Sequence, residues 1–188
     1  MAFFYFSQFP KVNYTISSGK TVIATDITKR FKMIDSFMKN KYVFYTYSVK
    51  EGERADVIAY KYYNDASLDW LIFMINSIYD PLLQWPMTYS EMEQYITNKY
   101  GSLESAKQTV YEYYQILQPR EILYDGTIVE EQSLVIDQTA YALLDDPDRS
   151  FISQYDYEKQ ENENRRIIKL VDKSFIPSIL REFKGIFV

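Results

Sequence analysis

Apolar positions along the chain recur with a helical period in some stretches and alternate in others, and one stretch follows neither pattern. In TDITKRFKMIDSFMKN, Ile27, Phe31, Ile34 and Met38 fall at helical spacing, which predicts an amphipathic helix with Thr25 or Asp26 as its N-cap. KYVFYTYSV is β-branched and aromatic and is closed by Gly52, so it predicts a strand. Two short helices follow. In the first, Ala55, Ile58, Ala59 and Tyr62 share a face; the second begins near Asp65 or Ser67, after a turn at Asn64-Asp65, and ends near Asn76. From Leu68 to Ile75 this second helix is apolar on nearly every side. A surface helix shows one apolar stripe, whereas one that is apolar all round must be covered all round.

Further along, TYSEMEQYITNKYGS predicts a helix opened by Ser90-x-x-Glu93 as a capping box and closed at Gly101. The period then shortens. QTVYEYYQIL and ILYDGTIV predict strands, with Asp125-Gly126 supplying the positive φ of a tight hairpin turn. LVIDQTAYALL fits strand or helix. YDYEKQENENRR predicts a charged helix, RIIKLVD a strand, and SFIPSILREF a last helix with Ile176, Ile179, Leu180 and Phe183 on one face and Pro177 in its first turn. Residues 2–14 are aromatic and irregular, broken by Pro10, and predict an arm that docks on another surface.

Composition narrows the chemistry. Apolar residues make up 47% of the 188 and charged residues 25%, a globular balance, but 19 Tyr and 12 Phe stand against 5 Gly. Tyrosine joins a large apolar area to a polar tip and suits surfaces that pass from water into an interface. A net charge of −5 and a pI near 4.9 leave no broad basic field for nucleic acid or anionic lipid. There is no Cys, hence no disulfide, thiolate metal site or cysteine nucleophile, and no His, which excludes Ser-His-Asp and histidine-zinc chemistry. MAFFYFSQFP lacks the basic start of a signal peptide, and the longest apolar run, WLIFMI, is too short to span a bilayer. These features predict a soluble protein made and retained in a cytoplasm.

The candidate catalytic groups fare poorly. Asp145, Asp146 and Asp148 lack the alternating acids, central Gly and terminal Glu of a calcium loop and read as a solvated turn. Glu158, Glu161 and Glu163 could be imagined as paired acids for glycoside hydrolysis, but Lys159, Arg165 and Arg166 lie close by. A solvated helix face laced with ion pairs is the reading taken. The ladder Tyr111, Tyr113, Tyr114 has no interleaved basic residue and reads as cross-strand packing, not as a stacking platform for bases or sugars. No Gly-rich phosphate loop occurs, and no cofactor or metal is expected.

The spacing Tyr47-x-Val49-x-x-Gly52-Glu53, then Ile58-Ala59-x-x-Tyr62 and a second helix ending at Asn76, resembles the LysM module, a β-α-α-β unit. Gly52 permits the sharp exit from the strand, Ile58 and Tyr62 stack one helical turn apart, and the Asn76 amide is placed to cap helix two. Arg54 and Ala55 follow the acid where Thr and Leu are usual, and helix two is more apolar than in a free-standing module. Taken in order, TDITKRFKMIDSF, IAYKYYNDASLDWLIFMINSIYDP and ENENRRIIKLVDKSFIPSIL resemble the small baseplate wedge protein 53 family of contractile-tailed bacteriophages. The most specific segments are Leu68-x-Trp70 to Asn76 with its Tyr79-Asp80-Pro81 exit, and Glu161-Asn162-Glu163 to Lys169.

That resemblance implies a structural, non-enzymatic subunit of a six-fold virion tail baseplate. It would tie wedge subunits, neighbouring copies and the hub region together, with the LysM-like unit reused for docking. The alternative is a LysM-type module binding peptidoglycan sugars; a cell-wall hydrolase ranks below both. The expected fold class is α+β: an arm and amphipathic helix over 1–40, a LysM-like domain over 41–88 and a C-terminal α/β region over 89–188. Phe3, Phe4, Tyr5, Trp70, Phe73, Met74 and Trp85 are the candidate interface anchors. The apolar excess on helix two leaves Trp70, Phe73 and Met74 to be covered either by this chain or by a neighbour.

Overall fold

A computed structural model describes residues 5–29, 33 and 35–186. In chain order the strands and helices are β1 (Lys11–Thr15), β2 (Thr21–Thr25), α1 (Asp35–Met38), β3 (Phe44–Ser48), α2 (Ala55–Tyr63), α3 (Asp69–Ile75), α4 (Pro81–Gln84), α5 (Tyr89–Tyr100), α6 (Leu103–Gln108), β4 (Val110–Gln118), β5 (Glu121–Ile122), β6 (Ile128–Val129), β7 (Gln132–Ile136), α7 (Gln138–Ala142), β8 (Arg149–Ser153), α8 (Gln154–Arg165), β9 (Ile167–Val171) and α9 (Ile176–Gly185). The class is α+β, as the sequence predicts.

The chain packs as two units, Met1–Pro86 with Arg165–Val188, and Met87–Asn164. This cuts across the division at residues 40 and 88. The reason is one long-range pairing: β3 runs antiparallel to β9, with Phe44 opposite Val171 and Ser48 opposite Ile167. The first unit is therefore a β-α-α-β arrangement whose closing strand comes from the end of the chain.

Its core is built by the faces that periodicity picks out. Ile58 and Ala59 of α2, Leu71 and Ile72 of α3, and Ile168, Leu170 and Val171 of β9 have almost no exposed surface. The all-round apolar character of α3 is explained by cover from a third direction. Phe183 of α9 stacks on Trp70 with ring centroids 5.0 Å apart, and Tyr5 lies 5.4 Å from the same indole.

The N-terminal region departs from expectation. Where an irregular arm was predicted, Tyr5–Gln8 forms a single helical turn and β1 pairs with β2 as a hairpin, Lys11 opposite Thr25. The amphipathic helix does not start at Thr25 or Asp26, because Thr25 ends β2 and Ile27 is exposed. Asp26 accepts from the Thr28 backbone and hydroxyl, closing a turn in place of a helix N-cap. The described helical residues there are Asp35–Met38; Phe31 and Ile34 lie outside the described residues, as do Phe3 and Phe4.

In the second unit α5 and α6 pack around Met92, Ile96 and Ala106, and three strands run in the order β7-β4-β8. The capping box on α5 is Thr88 with Glu91, not Ser90 with Glu93: the Thr88 side chain accepts from the Glu91 N–H, and the Glu91 carboxylate accepts from the Thr88 N–H at 2.8 Å. The ambiguous LVIDQTAYALL is both things in turn, β7 then α7, divided by Asp137 as N-cap. At the Asp125-Gly126 turn only Gly126 takes a positive φ, 83°.

Candidate functional site

The residues matched to the LysM-like motif form a connected set in the first unit. Gly52 has φ 67°, which makes the strand exit possible. Glu53, nearly buried, accepts from the Tyr47 hydroxyl at 2.8 Å, from the Lys50 N–H at 3.2 Å and from Lys61 Nζ at 2.5 Å. Burial pushes its carboxyl up, but the hydrogen bonds from Lys61, Tyr47 and Lys50 outweigh that and hold it below the usual value. Val49, Ile58 and Ala59 are core residues, and Tyr62 meets Tyr63 edge-on at 5.0 Å. The Asn76 amide donates to the Ile72 carbonyl, as a helix cap should, and also engages β9.

None of the described interface candidates is exposed. Trp70 is buried; Tyr5, Phe73, Met74 and Trp85 are half-buried. Phe73 meets Trp85 edge-on at 5.6 Å, and the Trp85 indole N–H donates to the Glu53 carbonyl at 2.9 Å. Met74 packs against the core. The structure thus gathers these side chains into two pairs, Trp70 with Tyr5 and Phe73 with Trp85, each covered by this chain.

Each pair lies beside an open groove. One, of about 410 Å³, runs between the start of α2 and Pro81, with Arg54, Phe73, Leu82 and Trp85 in its walls. The other, of about 510 Å³, is lined by Asp56, Asp65, Asp69, Tyr5 and Trp70. Asp56 is held by Arg54 at 3.0 Å, whereas Asp65 and Asp69 form no ion pair among the described residues. Partial burial, with Asp56 nearby, raises the Asp69 carboxyl against the lowering effect of the Trp70 N–H.

Large apolar side chains that do face water lie elsewhere. Tyr79, Leu82 and Leu83 flank the Pro81 turn in the first unit. In the second, Leu134 and Val135 of β7 and Phe151 of β8 are each more than half exposed, and Ser153 is the one fully buried residue of the three-stranded sheet. Sequence reasoning missed them because an alternating strand looks the same whether its apolar face is covered or open. Tyr111 stacks on Tyr157 at 3.8 Å and Tyr113 packs on Tyr141 at 4.7 Å, which is packing, as read for the aromatic ladder.

The charged helix α8 corrects one expectation. Glu158 is not on a solvated face: it is buried, and its Oε1 accepts from Lys99 Nζ at 2.6 Å and the Tyr100 hydroxyl at 2.7 Å. Asn162, also buried, accepts from the Met87 N–H at 2.7 Å and donates to the Met87 carbonyl at 3.0 Å. These groups hold α8 against α5 and against Met87, which leads into it. Among the described residues no three acidic side chains are placed to hold a metal ion, and no helix is long and apolar enough to cross a membrane.

Comparison with known proteins gives one match over nearly the whole chain: the model of a family described as base plate wedge protein 53 fits residues 1–186. No curated protein matches the chain.

Proposed function

This chain belongs to the base plate wedge protein 53 family, whose members are structural proteins of the phage tail baseplate, and from that premise we propose that it works purely by docking. Its partners in this reading are other wedge subunits, the hub region and neighbouring copies in the six-fold baseplate of a contractile tail. It uses no catalysis, cofactor, nucleic acid, membrane or small-molecule substrate. The first unit is read as a LysM-like fold whose apolar surplus goes mainly to self-packing.

The observation that carries this reading is the three-stranded sheet of the second unit. β7, β4 and β8 bury a single residue, Ser153, while Leu134 and Phe151, on the face they share with Tyr113, stand in water. A sheet with one hydrophobic face normally buries it against another layer. Exposed apolar patches on a folded subunit mark contact sites. Changing Leu134 and Phe151 together to Glu should leave the circular dichroism and melting temperature of the purified chain near those of wild type, and abolish its incorporation into baseplates in a phage complementation assay. Full complementation by that variant would overturn the assignment of this sheet.

The second reading, sugar binding by the LysM-like unit, is favoured by the groove of about 410 Å³ between the start of α2 and Pro81. Titration with chitin and peptidoglycan oligomers decides it. Saturable binding that is lost on Trp85→Ala supports this reading; no binding removes it.

A further inference from the structure

Charge is divided unevenly along the chain. Residues 1–50 hold eight Lys and Arg against two Asp, whereas residues 51–188 hold thirteen Lys and Arg against 24 Asp and Glu. A net charge of −5 therefore conceals a cationic N-terminal segment joined to an anionic remainder.

The β1–β2 hairpin lies in the cationic segment and holds Lys11 and Lys20 with no acid between residues 11 and 25. Among the described residues it pairs with no other strand, and none of its residues is buried, Val22, Ala24 and Thr25 being half-buried. A two-stranded hairpin is at best marginally stable alone, so an uncovered one gains order from a surface that receives it. Its tip is a compact knob: Ile16 and Lys20 face each other across the turn, with the Ile16 N–H donating to the Lys20 carbonyl at 3.0 Å and the Gly19 N–H donating to the Ile16 carbonyl at 2.8 Å. Lys20 is exposed and forms no ion pair among the described residues.

The groove of about 510 Å³ beside α3 offers the opposite set. Asp65 and Asp69 have no cationic partner among the described residues, and Tyr5 and Trp70 add aromatic wall. A cation set beside an apolar group is what such a groove accepts, and the chain itself carries one on a projecting turn.

We propose that the tip of the β1–β2 hairpin of one copy docks in this groove on a second copy, Lys20 lying between Asp65 and Asp69 and Ile16 against the aromatic wall. The contact is heterologous. Every pair keeps one free hairpin and one free groove, and repetition closes a ring where the rotation allows. Because it rests on one exposed ion pair and a small apolar contact, it is weak in dilute solution and effective when neighbouring copies are held side by side. Its setting rests on the baseplate reading; the contact itself is a property of this chain alone.

Light and heavy nitrogen-labelled full-length chains, mixed in equal parts at high concentration, are treated with a zero-length carbodiimide that joins an amine to a carboxylate only on contact. Mixed-isotope peptides joining Lys20 to Asp65 or Asp69 are expected. High salt should remove them; Lys20→Glu removes the amine as well as the charge, so its links to Asp65 and Asp69 should vanish, and the dimer fraction read by sedimentation should fall about fivefold, on the scale of one exposed ion pair. Mixing Lys20→Glu with Asp69→Lys places the reversed charges opposite one another and should restore association; if Asp69→Lys does not fold, the isotope pattern and Lys20→Glu still decide. Absence of mixed-isotope links at these residues, a dimer fraction unchanged in Lys20→Glu, or links to Asp65 and Asp69 only from the chain's own N-terminal amine would overturn the proposal. Normal complementation by Lys20→Glu alongside a failed cross-link would sink this contact and leave the baseplate role standing.

Discussion

The side chain of Asn76 grips the backbone of Lys169 at both of its polar groups. The Lys169 N–H donates to Asn76 Oδ1 at 2.8 Å, and Asn76 Nδ2 donates to the Lys169 carbonyl at 2.9 Å, across 93 positions of sequence. Lys169 sits opposite Thr46 in the β3–β9 pair, so one asparagine acts as a one-residue third strand on the far edge of β9. The same amide also accepts the task of ending α3, through the Ile72 carbonyl at 2.9 Å. The junction between helix and closing strand therefore passes through a single side chain.

Replacing Asn76 by Ala removes three hydrogen bonds and leaves their backbone partners to find water. At roughly 1 kcal/mol each, the expected loss is about 2–3 kcal/mol in a urea titration. Asn76→Asp should do no better than Ala. It keeps the acceptor for the Lys169 N–H but sets a carboxylate against two carbonyl oxygens. A variant within a few tenths of wild type would show that the amide contacts carry no net stability.

Asn162 makes the equivalent grip in the second unit, on both polar groups of Met87. Asn162→Leu is close in volume but has nothing to offer Met87, so two backbone groups lose their partners in a buried setting. The expected cost is about 1–3 kcal/mol. Hydrogen exchange should report it locally, as faster exchange at Met87 and in the first turn of α5 before global stability is affected elsewhere.

What the sequence made legible, and what it hid, follows from the range of each interaction. The strand, Gly52 turn and two helices were readable because each depends on neighbours a few residues away. The partner of β3 was not: RIIKLVD declares itself a strand, but nothing local says that Ile167 will face Ser48. Glu158 looked solvated because its run is polar, and its burial depends on Lys99, 59 positions earlier. Thr88 and Ser90 both precede a glutamate by three residues, so the pattern alone could not choose the box. The β1–β2 hairpin has a local signal, alternating Val12, Tyr14 and Val22, Ala24 around Gly19, but Pro10 and the aromatic residues before it carry the stronger pattern of an irregular arm. The surplus on α3 was legible as a demand for cover. Its supplier, α9 with Tyr5, was not.

Glu53 predicts a pH dependence. Its folded-state carboxyl lies below the ordinary 4.5, so it contributes stability above that value and loses it as pH falls through the folded one. Glu53→Gln keeps an acceptor for Tyr47 but loses the charge that Lys61 pairs with, and should cost about 1 kcal/mol at neutral pH. Once pH has fallen through the folded-state value the two proteins should converge, since protonated Glu53 and Gln are alike in charge. Parallel stability curves down to the acid end would show that Glu53 does not titrate with folding.

Phe183 predicts a test of what covers α3. Its ring stacks on Trp70 at 28° between planes and on Tyr5 at 5.5 Å, and it has no exposed surface. Phe183→Ala should cost about 3–5 kcal/mol, since the side chains around the cavity collapse only in part. The chain has two tryptophans, and they allow the site to be read directly. Trp70 loses its stacked cover and should shift its emission to longer wavelength, while Trp85, held by the Glu53 carbonyl and Phe73, should keep its own. Repeating the measurement in Trp85→Phe isolates the Trp70 signal. If that signal does not move, α9 is not the cover of helix α3, and the apolar surplus that first marked this helix must be met by another surface.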